Sequence, residues 1–207
     1  MNRLLLIIIA GACTTPPDNT STVEIDTETS MHDSFEEPEY VRWFNESDAL
    51  IADGFDFPVG RPDARGYYNA QKFGENDHLG DDWNGVGRGN TDLGDTVYAV
   101  ANGRVSFVQD EGAGWGNVIR IIHRFERPDT EEYVESLYAH LDTMLVNELA
   151  WVQRGSPIGT IGTAHGAYLA HLHLELRDSV GMDLGGGYSS ETNGYKDPTA
   201  FIRQNRP

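Results

Sequence analysis

The amino-acid sequence predicts a mainly β protein with few short helices, built as an antiparallel sheet, a sandwich or an open barrel. Three observations support this fold class. The chain has 207 residues, which suits one domain and a tail. Its 23 glycines favour a turn-rich β structure over a helical one. From about residue 59 onward, short β-rich runs alternate with turn residues, and no internal repeat is visible.

The first predicted elements form a β-hairpin. Residues 96–100 are β-rich, and residues 104–108 provide a partner strand. Between them lies Asn102–Gly103, a pair that favours a tight turn because both residues tolerate a positive φ. We therefore expect these two strands to pair with each other.

Further strands are predicted over residues 117–125, 133–141, 158–162 and 170–177. The last run alternates strictly, which directs Leu172, Leu174 and Leu176 to the core. The opposite face of that strand then carries His171, His173 and Glu175. Asp197–Pro198 is typical of a helix start, with Asp as the N-cap and Pro at the first helical position.

The N-terminus has the three parts of a secretory signal. Arg3 supplies a positive charge, residues 4–10 are apolar, and small residues precede Cys13. The apolar run is far shorter than the ~20 residues that span a bilayer as a helix. We expect residues 1–12 to be a lipoprotein-type signal peptide, because small residues before a lone cysteine resemble a bacterial lipobox. A plain secreted protein and a free thiol remain the alternatives.

Residues 13–38 are predicted to be a flexible acidic tether, since they are rich in Thr, Ser, Pro, Asp and Glu and poor in large apolar side chains. The globular domain is then expected over residues 39–207. A lipid on Cys13 would hold that domain to a membrane without a transmembrane helix. The protein would accordingly be exported to the cell envelope.

Charge and cysteine content exclude two classes of site. The chain has 15 Lys and Arg against 33 Asp and Glu, a formal charge of -18. Nucleic-acid binding needs a basic footprint, so a nucleic-acid partner is not expected. Cys13 is the single cysteine, which excludes an intrachain disulfide and a thiolate zinc site. Any metal must use imidazole and carboxylate ligands.

Three separate pieces of sequence could carry chemistry. His171 and His173 share one face of a strand, and His78 and Asp82 flank a glycine at a spacing that could wrap a cation. On a strand His78, Gly80 and Asp82 would share a face, which favours Asp82 over Asp81 as a ligand. In the third piece, Tyr138 and His140 are expected on one strand face. Each piece alone is more typical of solvated polar residues than of a site.

The three pieces together indicate a catalytic zinc site more strongly than any one alone. Two histidines and one aspartate leave an open fourth position on a tetrahedral zinc, which is the catalytic pattern. Further histidines nearby could transfer protons. The motifs are His-x-Gly-x-Asp at 78–82, Tyr-x-His-Leu at 138–141 and His-Leu-His at 171–173. In this order they resemble the lysostaphin/LytM-type peptidoglycan metalloendopeptidases. Supporting stretches at 94–105, 114–118 and 155–159 extend the resemblance over roughly residues 58–202.

The resemblance implies a duplicated-hybrid-motif-like sheet with an open groove. It puts Zn²⁺ on His78, Asp82 and His173, and it makes His140 and His171 the catalytic pair. The implied activity is hydrolysis of peptide cross-links in bacterial peptidoglycan by a metal-activated water. The alternative is a non-catalytic family member that binds cell wall or activates another wall hydrolase, although such relatives typically lack ligands that this chain keeps.

Four smaller expectations complete the set. Residues 84–92 and 181–187 are candidates for the walls of the groove. Glu175 is expected either to orient a metal ligand or to be solvated, and the sequence does not decide between the two. His123 is expected to be structural, and His165 to be a loop histidine, with a place in the lining of the cleft as the alternative.

Overall fold

The computed structural model describes residues 36–46, 49–112, 114–127 and 130–207. The predicted signal peptide, Cys13 and nearly all of the tether lie outside these residues. The unit described below begins at Glu37 and ends at Pro207. Among the described residues, no helix has the length and apolar character that crossing a membrane would require.

The fold is mainly β, as predicted, with two short α-helices and ten strands in the described part of the chain. In chain order these elements are α1 Glu39–Trp43, β1 Tyr67–Gln71, β2 Asp81–Gly85, β3 Thr96–Tyr98, β4 Gly103–Asp110, β5 Asn117–Arg127, β6 Thr130–Met144, β7 Trp151–Val152, β8 Pro157–Ile161, β9 Leu172–Arg177, β10 Tyr195–Lys196 and α2 Pro198–Gln204.

The strands form one antiparallel sheet in the order β1-β2-β9-β6-β5-β4-β7. β10 pairs with β9, and β8 joins β3 to β6. The central position of β9 brings together segments that are distant in sequence. Asp82 on β2 lies opposite His173, and Ala139 on β6 lies opposite His173 on the other side.

The predicted hairpin around Asn102–Gly103 is wrong. β3 pairs with β8, with Val97 opposite Gly159, whereas β4 pairs with β5 and β7. Between β3 and β4, residues 99–101 are buried, and the backbone N–H of Val100 donates to the Tyr138 hydroxyl at 2.9 Å. This apolar segment crosses the core, so the chain cannot double back at the turn that the local sequence favours.

The core lies on the face of β9 that carries its leucines. Leu172, Leu174 and Leu176 are fully buried, as the alternation predicted. Phe55, Phe125 and Phe201 pack edge to face on the same side, with ring centroids 5.0–5.8 Å apart. Such aromatic contacts add to the area that they bury. They join the sheet to α2.

The start of α2 follows its sequence signal. The Asp197 carboxylate accepts a hydrogen bond from the backbone N–H of Ala200 at 2.9 Å, and Pro198 occupies the first helical position. The cap satisfies one N–H that the helix itself cannot pair.

Candidate metal centre and cleft

Three potential ligand atoms converge beside the middle of β9. His78 lies just before β2, and Asp82 lies on β2 directly opposite His173. His173 Nδ1 is 2.9 Å from Asp82 Oδ1 and 3.1 Å from His78 Nε2. His78 Nε2 is 3.4 Å from Asp82 Oδ1. Asp81 points away and accepts from the Thr199 hydroxyl at 2.6 Å, so the Asp82 side chain is the one in this cluster.

The spacing of these atoms fits a tetrahedral zinc ion. Zinc–nitrogen and zinc–oxygen bonds of about 2.0–2.2 Å place neighbouring ligand atoms of a tetrahedron about 3.3–3.6 Å apart. The three distances, 2.9–3.4 Å, lie close to this range without an ion present. Two imidazoles and one carboxylate also form a donor set that zinc prefers. The residues therefore fit the metal that the resemblance implies, and their role as ligands stays a prediction.

Gly80 allows His173 to approach. A β-carbon at Gly80 would lie 2.5 Å from the carbonyl oxygen of Leu174 and 2.9 Å from Cε1 of His173. It would also lie 3.0 Å from Cγ of Glu175. A glycine is thus required between His78 and Asp82 for a steric reason, because any larger residue would separate β2 from β9 at the metal centre.

Glu175 resolves the alternative that the sequence left open. Its side chain is fully buried, and its Oε1 lies 3.1 Å from His173 Nε2. When Nε2–H donates to this carboxylate, Nδ1 keeps its lone pair and faces the other two ligand atoms. Glu175 therefore orients the imidazole and is not a solvated surface residue.

His140 lies in the cleft, but the alternation of side chains along a strand does not explain its orientation. The expectation that Tyr138 and His140 share a strand face is wrong, because Tyr138 packs in the core. His140 has a φ of 63°, in the left-handed region that non-glycine residues rarely occupy. This conformation breaks the alternation of β6 and turns the imidazole toward the cleft. Such strain is typical of functional sites.

Backbone carbonyls orient both candidate catalytic histidines. His140 Nδ1 lies 3.1 Å from the carbonyl of Trp115, and His171 Nδ1 lies 2.8 Å from that of Leu169. With Nδ1–H donating, each ring presents an Nε2 lone pair. The two rings are 4.7 Å apart, and His171 Nε2 is 3.8 Å from Asp82 Oδ1. Both histidines thus stand beside the predicted ligands.

The electrostatics of the cluster follow from burial and hydrogen bonding. Burial raises the pKa of Asp82, but hydrogen bonds from His173 and His78 outweigh it and hold the pKa below its usual range. Burial lowers the pKa of His173, whereas Asp82 and Glu175 together raise that pKa to about 9. Burial and the neighbouring histidines lower the pKa of His140 to about 3. His140 is therefore held neutral.

The cluster opens into a cleft of about 380 Å³. One wall includes Gly186, Gly187 and Tyr188, in agreement with the expectation for residues 181–187. The expectation for residues 84–92 is wrong, because residues of that loop do not line the cleft. Asn90 instead accepts a hydrogen bond from the Ala170 backbone N–H at 2.8 Å. Trp115 contacts the wall formed by residues 181–187, donating through Nε1 to the Gly185 carbonyl at 3.1 Å, and Gly114 and Tyr168 also line the cleft.

The remaining described histidines lie outside the cleft. His123 is fully buried and contacts the Asn102 carbonyl at 2.9 Å and the Ser136 hydroxyl at 2.7 Å, as expected for a structural residue. His165 lies in a loop with its Nε2 2.8 Å from Asp110 Oδ1. Sequence reasoning missed Tyr168, Tyr188 and Arg177. Only Arg177 had a signal, because alternation places it on the face of His173.

The model of peptidase family M23 matches residues 82–185, half of the chain. The chain belongs to peptidase family M23. This confirms the resemblance to the lysostaphin/LytM-type peptidases. The matched region includes Asp82, His140, His171 and His173 and ends within the cleft wall.

Relatives and solved structures agree with this placement. Over 84 residues, or 41% of this chain, it is 39% identical to Lipoprotein NlpD of Yersinia enterocolitica, covering 78% of that protein. The same identity holds for Murein hydrolase activator NlpD of Escherichia coli, but the match covers only 20% of that protein. The crystal structure of cbpa from L. salivarius REN matches 73% of this chain and 96% of its own, with 22% identity and a TM-score of 0.52. The last match concerns the fold alone.

Proposed function

We propose that this member of peptidase family M23 is a zinc-dependent endopeptidase that hydrolyses peptide cross-links of bacterial peptidoglycan. The observation that carries the proposal is the convergence of His78, Asp82 and His173 on one point, with His140 and His171 beside it. A passive zinc-binding protein would need the first three side chains only. The two further histidines supply proton transfer, which peptide hydrolysis requires.

The chain's own residues divide the work of hydrolysis. His78 Nε2, Asp82 Oδ1 and His173 Nδ1 would hold the ion and leave one position open toward the cleft. Bound zinc supplies a water whose pKa is lowered to about 7 and polarises the substrate carbonyl. His140 and His171 each present an Nε2 atom to the cleft, so one of these two atoms would accept the proton that the water loses, and the protonated ring would return it to the leaving amine.

The cleft suits an extended peptide. It is open at the surface, and its two sides carry the exposed rings of Tyr168 and Tyr188. The ring of Tyr188 lies 5.1 Å from that of His78, and the ring of Tyr168 lies 5.0 Å from that of His140. A peptide between them would pass directly over the metal centre. Wall peptides as the substrate class rest on the family membership.

A second candidate function is activation of another wall hydrolase without catalysis. The observation that favours it is the 39% identity to a protein named Murein hydrolase activator NlpD. The presence of all five site residues argues for catalysis instead, because an activator needs neither the ligand atoms nor the paired histidines.

We extend the proposal to the whole chain. Residues 1–12 act as a lipoprotein-type signal, residues 13–38 as a tether, and residues 39–207 as the peptidase domain in the cell envelope, held to a membrane by lipid on Cys13. A relative named as a lipoprotein supports this arrangement. Metabolic labelling with a radioactive fatty acid, compared between the wild type and Cys13→Ser, tests it.

Digestion of purified peptidoglycan by the zinc-loaded full chain separates the two functions. Chromatography with mass spectrometry should show loss of cross-linked muropeptides and new free amino groups. His171→Ala and an added chelator should abolish the products, whereas His165→Ala, in a loop outside the cleft, should retain them. A zinc-loaded protein that cuts no bond but accelerates a separate wall hydrolase would establish the activator and refute the peptidase.

A further inference from the structure

Three charged or ionisable side chains follow one another along the cleft face of β9. His173, Glu175 and Arg177 alternate with the core leucines, and their side chains are 4%, 0% and 0% exposed. His173 Nε2 lies 3.1 Å from Glu175 Oε1. Arg177 donates through Nε to Glu175 Oε2 at 2.8 Å, and its Nη2 forms an ion pair with the same oxygen at 2.6 Å. The guanidinium therefore fixes the carboxylate that orients His173.

The other donors of Arg177 reach the wall of the cleft. Nη1 donates to the carbonyls of Met182 and Asp183 at 3.4 and 3.3 Å, and Nη2 donates to the carbonyl of Leu184 at 3.0 Å. A guanidinium has five N–H donors in a fixed plane. Arg177 uses four of them in hydrogen bonds, one to Glu175 and three to successive loop carbonyls. A lysine, with three donors on one atom, could not make this set of bonds.

The loop held by Arg177 returns to the metal centre. Beyond Leu184 it continues through Gly186 and Gly187 to Tyr188, all of which line the cleft. The Gly187 carbonyl accepts from the backbone N–H of Leu79 at 3.0 Å, next to His78. Arg177 thus lies between two parts of the site. On one side is the predicted ligand His173, and on the other is the wall segment that bonds to Leu79, the residue after the predicted ligand His78.

The two imidazoles differ in how they are held. His78 Nδ1 is buried and has no hydrogen-bond partner among the described residues. His173 is held at both nitrogens, by Asp82 and by Glu175. Hydrogen bonds to the remote nitrogen of a metal-binding imidazole typically change metal affinity 10–100-fold. Among the described residues, Glu175 alone makes such a hydrogen bond to a predicted zinc-binding imidazole.

We propose that Glu175 and Arg177 are positioning residues that couple the metal centre to the wall loop at residues 181–187. The inference rests on the proposed zinc site. Glu175 selects the imidazole form of His173 that can bind zinc through Nδ1. Arg177 holds Glu175 and the loop in one arrangement, so that ligand geometry and cleft shape are set together.

Two variants and a matched control test the coupling. Glu175→Gln keeps the shape but removes the charge that Arg177 pairs with, and Arg177→Lys keeps the charge but loses the planar donors. The control is Arg120→Lys. Arg120 also donates to the Met182 carbonyl, at 2.9 Å, and pairs with Glu135 at 3.2 Å, but none of its hydrogen bonds among the described residues reaches His173 or Glu175.

The measurements are zinc affinity, by competition with a chromophoric chelator, and chymotryptic cleavage after Met182 and Leu184 in the metal-free protein. Glu175→Gln and Arg177→Lys should weaken zinc binding about 10–100-fold and speed cleavage of the loop. Arg120→Lys should speed cleavage and leave zinc affinity within about twofold. Circular dichroism confirms that each variant is folded.

The outcomes separate this inference from the proposed function. Wild-type zinc affinity in folded Glu175→Gln and Arg177→Lys would overturn the coupling and leave the zinc site intact. A wild type that binds no zinc would refute the proposed function. In that case loop cleavage still decides the structural link: an unchanged cleavage rate in Glu175→Gln would show that Glu175 does not support the loop through Arg177.

Discussion

Replacing Gly80 with alanine should damage the metal centre although no predicted ligand is replaced. The added β-carbon would lie 2.5 Å from the Leu174 carbonyl oxygen, about 1 Å inside an optimal contact. This oxygen belongs to a central strand and cannot move freely, so β2 must shift instead. Overpacking of this kind costs about 1–3 kcal/mol. Because the shift also moves Asp82 relative to His173, zinc affinity should fall at least about tenfold.

Two assays measure these effects separately. Thermal unfolding in chelator should show a melting temperature lowered by about 2–12 °C, since 1 kcal/mol corresponds to about 2–4 °C in a domain of this size. Chelator competition gives the zinc affinity. The control is Gly186→Ala, because a β-carbon at Gly186 meets nothing within 4 Å. Wild-type stability and zinc affinity in Gly80→Ala would refute the steric role of this glycine.

Three further predictions concern stability. Burial lowers the pKa of His123 to about 4, whereas an unfolded histidine titrates near 6.5, so His123 should cost the wild type about 3 kcal/mol as pH falls from about 6.5 to about 4. Urea unfolding should show this extra loss of stability in the wild type but not in His123→Gln; equal pH dependence in the two proteins would contradict it. Asp197→Ala removes the cap of α2 and should lower the free energy of unfolding by about 1 kcal/mol, with Asp183→Ala as a solvent-exposed comparison. Adding zinc at 100 times its dissociation constant should stabilise the protein by about 2.7 kcal/mol, and Asp82→Asn should reduce this gain.

Local alternation predicted the part of the site that lies on a regular strand. The pattern at residues 172–176 placed three leucines in the core and His173 with Glu175 on the opposite face, as the structure has them. The capping signal at Asp197 also held, because an N-cap involves only neighbouring residues. These features depend on contacts within a few positions of the chain.

Features that depend on distant contacts could not be predicted in the same way. The turn signal at Asn102–Gly103 failed because the preceding residues enter the core and bond to Tyr138 on β6. The orientation of His140 depends on a positive φ held by the Trp115 carbonyl, 25 positions away. Arg177 shared a face with His173 in the pattern, but its contacts with the loop at residues 181–187 appear only in three dimensions.

The most direct test of the account is the position of zinc in the full chain. A crystal structure with anomalous data at the zinc absorption edge should show one ion within about 2.0–2.2 Å of His78 Nε2, Asp82 Oδ1 and His173 Nδ1. Its open position should face His140 and His171. An ion bound elsewhere, or a zinc-soaked crystal with no anomalous peak between these three side chains, would contradict the account.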